Sequence, residues 1–211
     1  MLRYAGCCRV GTALRPPSDM DAARLPRSAA PGDAAGRPSE SNRWNPRCVK
    51  VIRELPLQGS TLVLREAVVE DLPAVLELLA DDQLGATRDG ASDAAEMEPY
   101  LRAFEAMDSD PAHLLLVVAD DGQVVATMQV SFIPGLARRG ALRAQIEAVR
   151  VSQDYRRKGL GASMFDWAIG ESRRRGCALV QLTTDKSRSD AHRFYERLGF
   201  VASHEGLKLT L

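Results

Sequence analysis

Apolar positions from residue 61 onward change repeatedly between a spacing of two residues and a spacing of three to four residues. The first spacing predicts strands and the second predicts amphipathic helices. The predicted strands cover residues 61–65, 114–119, 123–132, 144–151 and 177–183, and alternating Leu207, Leu209 and Leu211 predict a closing strand. The predicted helices begin at Leu72, run through Met97 to Phe104, and cover residues 159–175 and 188–198. This order predicts an α/β (α+β) fold with a mixed, mostly antiparallel central sheet flanked by helices.

Short local signals place the connections between these elements. Asp71 is a helix-capping residue type directly before an apolar stripe. Asp121-Gly122 between two β-rich runs predicts a tight hairpin. Residues 83–93 are polar and predict a loop, and residues 133–143 contain Pro, Gly and three arginines, which predicts a basic loop.

The first part of the chain differs in composition from the rest. Residues 1–50 contain six of the 11 prolines and nine basic residues, without helical or strand periodicity. Such a composition buries too little apolar surface to offset chain entropy. We therefore predict that residues 1–55 form a disordered Ala/Arg/Pro-rich extension and that residues 56–211 form the folded domain. A targeting peptide and an extension without function are the two interpretations, and four acidic residues argue against mitochondrial targeting.

Charge and cysteine content exclude several classes of function. Lys plus Arg and Asp plus Glu both number 28 in 211 residues, which gives no support for nucleic acid as a partner. No apolar run approaches 18 residues, so no membrane partner is expected. The four cysteines and three histidines lack the spacing of a zinc site, which predicts no metal. A single cysteine after residue 48 suggests a reducing compartment, so we expect a cytoplasmic location.

The most informative motif is the turn at residues 156–162, Arg-Arg-Lys-Gly-Leu-Gly-Ala, which we call the glycine turn. Free amide groups at a helix start, with the positive end of the helix dipole, favour phosphate oxygens. A dinucleotide-binding turn would have glycine where Met164 stands, and a P-loop would have Gly-Lys-Ser/Thr. A solvated basic turn before an ordinary helix remains the alternative for this motif alone.

A second motif, Ala-His-Arg-Phe-Tyr-Glu-Arg-Leu-Gly-Phe at residues 191–200, follows the glycine turn. Together the two motifs resemble the GNAT family, the Gcn5-related N-acetyltransferases, over residues 60–211. The resemblance implies the acyl-CoA N-acyltransferase fold and acetyl-CoA as the acyl donor.

The resemblance also implies roles for individual residues. The glycine turn would hold the coenzyme A pyrophosphate through backbone amides, and the strand before it would pair with the pantetheine arm. The implied cofactor contacts are Val149, Arg150, Val151, Arg156, Arg157, Lys158, Gly159, Leu160, Gly161, Ala162 and Arg188. Arg188 stands where many relatives have asparagine, and it would reach either the cofactor's 3′-phosphate or the acceptor.

Tyr195 and Glu147 are the implied catalytic residues. Tyr195 would lie near the thioester sulfur as general acid, and its alternative role is that of a packed core aromatic. Glu147 would be the base or hold a water, and its alternative role is an ion pair with Arg143 or Arg150. Alternation along the strand predicts that Glu147 shares a face with Gln145 and Val149.

The resemblance leaves the acceptor open. Glu147, Gln145, Gln181 and Thr183 would line its site and suit a cationic amine, whereas the basic loop would suit an anionic group. The expected activity is transfer of an acetyl group to a primary amine of a small molecule or peptide, by direct attack in a ternary complex. A non-catalytic coenzyme A-binding regulator on the same fold is the alternative, and the resemblance also allows a homodimer.

Overall fold

The computed structural model describes residues 50–57, 59–81 and 94–211. Its strands are β1 (Val51–Leu57), β2 (Ser60–Glu66), β3 (His113–Asp120), β4 (Gln123–Pro134), β5 (Leu142–Val151) and β6 (Leu179–Leu182). Its helices are α1 (Leu72–Ala80), α2 (Ala94–Asp108), α3 (Ala137–Gly140), α4 (Leu160–Arg174) and α5 (Ser189–Arg197). Short 3₁₀ turns lie at Val69–Asp71 and Gln153–Tyr155.

The six strands form one sheet in the order β1-β2-β3-β4-β5-β6. All neighbouring pairs are antiparallel except β5 and β6, which are parallel and connected through α4. The predicted mixed, mostly antiparallel sheet flanked by helices is therefore confirmed.

Each face of the sheet packs against its own helices. One face meets α4, whose Leu160, Met164 and Phe165 are fully buried in the larger apolar cluster. The other face meets α1 and α2 through a smaller cluster that includes Val75 and Phe104. No helix among the described residues is both long enough and apolar enough to cross a bilayer.

The hairpin signal is confirmed, whereas the predicted cap acts differently. Asp121 and Gly122 have φ angles of 46° and 85°, as a two-residue turn of this type requires. Asp71 stands at the N-cap of α1, but its carboxylate accepts the N–H of Val68 and pairs with half-buried Arg65 at 2.6 Å. The carboxylate therefore holds the chain before the helix instead of capping it.

The predicted domain boundary at residue 55 is wrong. Residues 51–55 belong to β1, which pairs with β2, and Leu55 is buried in the larger apolar cluster. A partner strand supplies the hydrogen bonds and apolar contacts that this segment cannot make alone. Residues 1–49, predicted to be an extension, and the whole loop predicted at 83–93 lie outside the described residues.

Two further element boundaries differ from the prediction. The basic loop is shorter than residues 133–143, because β4 continues to Pro134 and β5 begins at Leu142. Arg138 and Arg139 lie in the remaining turn with φ angles of 54° and 61°. The predicted closing strand at Leu207–Leu211 is absent from this structure, where the segment has no regular secondary structure.

Candidate functional site

A bulge interrupts β5 at the position where the candidate base stands. Glu147 pairs with Gln129 of β4 and Arg150 pairs with Thr127, so Ala148 and Val149 together oppose one residue of β4. Ala148 has a φ of 52°, the left-handed conformation that a bulge accommodates.

The bulge corrects one prediction about side-chain direction. Glu147 shares a face with Gln145, as alternation predicts, because both pair with residues two apart on β4. Val149 instead packs against the apolar cluster on the α4 face, and Val151 packs there as well. The extra residue shifts the alternation, so Val149 does not share the face of Glu147.

The parallel strands β5 and β6 diverge just beyond this bulge. Their pairing extends only from Arg143 with Leu179 to Ile146 with Leu182, where β6 ends. Residues 147–151 remain paired with β4 on one side and have no strand partner among the described residues on the other. We call this stretch the open edge of β5. It offers backbone groups to an extended ligand in the manner of an added strand.

The glycine turn leads from β5 into α4. Gly159 is the N-cap of α4 and has a φ of 91°, a conformation that side-chain-bearing residues rarely adopt. The first N–H groups of an α-helix have no partner within the helix, and here they belong to Leu160, Gly161 and Ala162. Leu160 itself is buried, so only its backbone is available to a ligand.

Gly161 lies against the ring of Phe194 in α5. A β-carbon at residue 161 would stand 3.5 Å from the Phe194 ring, which is ordinary van der Waals contact. Neither the backbone of Gly161 nor its protein neighbours therefore require glycine here.

Arg156 acts within the protein. Its Nε donates to the carbonyl of Val151 at 2.8 Å, and its Nη2 binds the carboxylate of Asp81 at 2.8 Å. The amide of Gln153 donates to the same carboxylate at 3.1 Å. Asp81, directly after α1, thus joins that helix to the glycine turn, and the sequence analysis did not identify it.

The other two basic residues of the glycine turn are exposed. Arg157 has a φ of 62°, a strained backbone for a residue with a side chain. Lys158 has its Nζ 5.6 Å from the centroid of the Tyr155 ring. It lines a shallow polar groove of about 320 Å³ that also includes Asp120 and Ser60 but neither Tyr195 nor Glu147. The structure therefore places the Lys158 side chain toward a region separate from the candidate catalytic residues.

Tyr195 belongs to an aromatic group formed by residues of α4 and α5 together with Phe200, three residues after α5. Its ring centroid lies 5.5 Å from Phe165, 5.4 Å from Phe194 and 6.0 Å from Phe200. These contacts fix the half-buried ring, while its hydroxyl makes no hydrogen bond to any described residue. Burial raises the pKa of the phenol above its usual value, and the positive charges of Arg150 and Arg188 partly offset this rise. Tyr195 is therefore protonated at neutral pH.

Arg150 and Arg188 bring positive charge to the candidate catalytic tyrosine. Both charges act on the Tyr195 phenol, although Arg150 lies in β5 and Arg188 directly precedes α5. Arg150 also donates to the carbonyl of Val149 at 2.9 Å. Guanidinium groups from two separate elements therefore act on the same phenol.

Glu147 is exposed on β5 beside the bulge. Its carboxylate forms no ion pair with any residue that the structure describes, so the predicted alternative pairing with Arg143 or Arg150 is not observed.

The two predicted substrate residues differ in environment. Gln145 accepts a hydrogen bond of 2.7 Å from Gln181 on the neighbouring strand, whereas Thr183 is exposed just after β6.

A metal centre and a thiol nucleophile are two other kinds of chemistry that a site of this sort can use. No group of three potential metal ligands lies together among the described residues. Cys177 precedes β6, and burial raises the pKa of its thiol, which disfavours a thiolate nucleophile.

Comparison with known proteins agrees with the fold and the motifs. A model of the Acetyltransferase (GNAT) family matches residues 72–200. The aminoalkylphosphonate N-acetyltransferase of Salmonella typhimurium is 27% identical over 141 residues, which cover 67% of this chain and 86% of that protein.

Two solved structures are similar over almost their entire lengths. A protein of Bacillus halodurans described as a transcriptional regulator is 43% identical, with a TM-score of 0.68 over 71% of this chain and 99% of that one. A protein of Agrobacterium tumefaciens described as an acetyltransferase is 30% identical, with a TM-score of 0.60 over 70% and 99% of the two chains. Because the family match covers more than half of the residues, this chain belongs to the GNAT family of acetyltransferases.

Proposed function

We propose that this protein transfers an acetyl group from acetyl-CoA to a primary amine by direct attack in a ternary complex. The observation that carries the proposal is the arrangement of three features around the end of β5. These are the open edge of β5, the N-terminus of α4 directly after it, and a protonated tyrosine whose pKa responds to Arg150 of that edge.

The residues present fit coenzyme A. The N-terminus of α4 offers backbone N–H groups and a positive dipole end to a pyrophosphate. The open edge of β5 offers the backbone of Val149 and Val151 to the amides of a pantetheine arm. Because the Arg156 side chain is already bound to Asp81, we assign pyrophosphate binding to the backbone of the glycine turn, with Arg157 adding positive charge. Bound acetyl-CoA supplies the activated acyl carbon.

Glu147 is proposed to remove the proton from the acceptor. A lysine-like ammonium group has a pKa of about 10.4, so forming the neutral amine at pH 7 costs roughly 4–5 kcal/mol. An exposed carboxylate without an ion pair is free to accept this proton, either directly or through a water molecule. The amine nitrogen then forms a bond to the acetyl carbon.

Tyr195 is proposed to supply the proton that the leaving group needs. When the carbon–sulfur bond breaks, the sulfur departs as a thiolate whose conjugate acid has a pKa of about 8.5. Burial keeps the phenol protonated and available to donate to this sulfur. The first proton that the ammonium loses goes to Glu147, and the proton of Tyr195 goes to the thiol. The second proton, which the nitrogen loses as the amide forms, returns to the Tyr195 phenolate.

The acceptor is proposed to be an amine that also carries an anionic group. Arg150 and Arg188 both act on the Tyr195 phenol through their charge, and a guanidinium group suits the oxygens of a carboxylate or phosphonate. The name of the Salmonella relative, an aminoalkylphosphonate N-acetyltransferase, points to the same combination of groups.

A panel of amines with acetyl-CoA tests this function. Release of the coenzyme A thiol and the mass of the acetylated product would be followed with aminophosphonates, amino acids and polyamines. We expect turnover with at least one amine, and the fastest turnover among the anionic amines.

A coenzyme A-binding regulator without catalysis is the second candidate. It is favoured by one observation, that the 43% identical protein of Bacillus halodurans is described as a transcriptional regulator. Binding of acetyl-CoA in calorimetry without turnover on any amine of the panel would support this candidate.

A further inference from the structure

Two opposite charges lie on the same face of β5. Arg143, Gln145 and Glu147 alternate with Ala144 and Ile146, which are both buried in the larger apolar cluster on the α4 side of the sheet. The three polar side chains therefore point to the opposite face. Glu147 is exposed, Arg143 is half-buried, and neither forms an ion pair with any described residue.

The neighbouring strands place further amide side chains on this face. Gln145 pairs with Gln181 of β6, and Glu147 pairs with Gln129 of β4. The amide of Gln181 donates to Gln145 at 2.7 Å, and Gln181 is exposed. A glutamine amide both donates and accepts hydrogen bonds, as a peptide group does. The face between Arg143 and Glu147 therefore offers partners to the amides of a ligand.

The Arg143 guanidinium lies at the end of this face that is far from Glu147. A β-carbon added to Gly135 would lie 3.4 Å from its Nη1, so the guanidinium lies over the turn that joins β4 to β5. Its Nε is buried and has no hydrogen-bond partner among the described residues. Such a group lacks the partners that its charge requires, and a carboxylate or phosphonate supplies them in the most favourable geometry. Arg143 is therefore suited to an anionic ligand.

The separation of the two charges sets the length of a ligand that reaches both. Four residues of a strand put about 13 Å between the α-carbons of Arg143 and Glu147. An extended tripeptide is about 10 Å long, and a polar contact of about 3 Å at each end gives about 16 Å in total. Because the guanidinium extends away from Glu147, a tripeptide matches this separation, whereas a single amino acid is too short.

We propose that Arg143 binds the anionic group of the acceptor and thereby selects an amine whose anionic group is about 10 Å away, as in an extended tripeptide with a free carboxylate. The amine lies at Glu147, the two peptide groups lie along Gln145 and Gln181, and the carboxylate lies at Arg143. The inference rests on the proposed acetyl transfer and names the substrate class of the same site.

Arg143 is distinct from the two arginines whose charges act on Tyr195. Arg150 lies beyond Glu147 in the opposite direction along β5, and Arg188 directly precedes α5. A short anionic amine that is bound with its nitrogen at Glu147 does not reach Arg143. Removal of the Arg143 charge should therefore affect long anionic acceptors and leave short ones unchanged.

The experiment compares triglycine, triglycine amide and glycine as acceptors. Triglycine amide has the length of triglycine but lacks the carboxylate. In the unmodified chain we expect kcat/KM to be at least about 10-fold higher for triglycine than for its amide. Arg143→Gln should abolish this preference by raising the KM of triglycine about 10-fold, with little change in kcat. It should change the kcat/KM of triglycine amide and glycine by less than about twofold.

Arg139→Gln, which changes an exposed arginine in the turn before β5, is the matched control and should keep the preference for triglycine. Equal kcat/KM values for triglycine and its amide in the unmodified chain would overturn the inference. An equal loss of both activities in a folded Arg143→Gln would overturn it as well. A lower melting temperature of Arg143→Gln with the preference retained would assign Arg143 to the stability of the turn instead.

Calorimetry of triglycine with the protein saturated with coenzyme A separates this inference from the proposed function. If no amine of the panel is acetylated, the proposed function fails. Triglycine binding that is lost in Arg143→Gln and kept in Arg139→Gln would still support the contact with Arg143. Equal binding to the two variants, or no binding to the unmodified chain, would overturn it.

Discussion

Arg156 and Asp81 are joined by a side-chain contact of 2.8 Å between the glycine turn and the end of α1. The same guanidinium donates to the carbonyl of Val151 at the end of β5, so one side chain connects three elements. Both partners are partly exposed, and ion pairs of this kind add little to stability, with a median near 0–1 kcal/mol. We infer that the contact positions the backbone of the glycine turn.

Asp81→Asn should therefore weaken cofactor binding more than it weakens the fold. Loss of the negative charge weakens the contacts of both Arg156 and Gln153 with residue 81. We therefore expect the KM for acetyl-CoA to rise about 3- to 10-fold, which corresponds to roughly 0.7–1.4 kcal/mol of binding free energy, with little change in kcat. Steady-state kinetics beside a thermal melt measure both effects. Asp154→Asn, which changes an exposed acid in the 3₁₀ turn just before Arg156, is the control and should leave the KM unchanged. Equal changes in the KM for acetyl-CoA in the two variants would show that Asp81 does not position the glycine turn.

Gly161→Ala separates a ligand requirement from a folding requirement. The new methyl group would meet only the Phe194 ring at an ordinary distance, so the melting temperature should stay the same or rise. Affinity for coenzyme A should fall, because the proposed pyrophosphate site lies at this backbone. Calorimetry measures the affinity, and Gly170→Ala in the open middle of α4 is the matched control. Unchanged affinity of Gly161→Ala for coenzyme A would show that the pyrophosphate does not bind at this turn.

Glu171 should make stability depend on pH in a defined window. Hydrogen bonding to Arg174 and Arg175 holds the pKa of its carboxyl at about 2, below the 4.5 of an unfolded chain. Because the pKa is lower in the folded state than in the unfolded chain, the ionised carboxyl stabilises the folded state above pH 4.5. This stabilisation is lost as the pH falls toward 2. After discounting for solvent screening, we expect Glu171 to add about 1–2 kcal/mol to the free energy of unfolding at pH 7.

Urea unfolding of Glu171→Gln and the unmodified chain measures this difference. The two proteins should differ at pH 7 and converge near pH 2. Asp166→Asn, which breaks the exposed pair with Arg53, should show a smaller difference. A difference between Glu171→Gln and the unmodified chain that persists at low pH would assign it to packing instead of charge.

Arg188→Gln tests the proposed anionic acceptor. Loss of one positive charge near Tyr195 should raise the KM of an aminophosphonate by about 10-fold and affect a neutral amine by less than about twofold. Arg193→Gln, on the exposed side of α5 and paired with Asp190, is the control. A larger rise in the KM of acetyl-CoA than of the acceptor would instead assign Arg188 to the cofactor.

The sequence predicted those features that depend on local patterns. The hairpin at Asp121-Gly122 follows from turn chemistry, and α4 follows from its apolar stripe and the glycines at both ends. The parallel pairing of β5 and β6 and the contact of Gly161 with Phe194 bring together residues that are distant along the chain. The family resemblance could imply such an arrangement, but periodicity alone could not.

The errors have physical causes that a single sequence does not reveal. The strand β1 is stabilised by its partner β2, so residues 51–55 show no distinctive pattern of their own. The bulge at Ala148 reverses the face of Val149 without a glycine or proline to mark it. Asp81 was missed because its importance lies in contacts with Arg156 and Gln153, more than 70 residues away.

The most direct test of the proposed catalysis is the turnover of Tyr195→Phe. The change removes one oxygen that makes no hydrogen bond to the described residues and keeps the ring that contacts Phe165, Phe194 and Phe200. Tyr155→Phe is the control, since its hydroxyl donates to Asp120 at 2.6 Å away from this site. It should alter stability slightly and turnover hardly at all.

The measurement is kcat with the best amine of the panel, under conditions where chemistry limits the rate, beside acetyl-CoA affinity and a thermal melt. A positioned acid contributes about 10²–10⁴-fold, so Tyr195→Phe should lower kcat within that range and leave affinity and melting temperature nearly unchanged. Because burial raises the phenol pKa, the unmodified enzyme should show no loss of kcat from this group below about pH 10. A kcat within about threefold of the unmodified enzyme would contradict the account and show that the thiolate leaves without a proton from Tyr195.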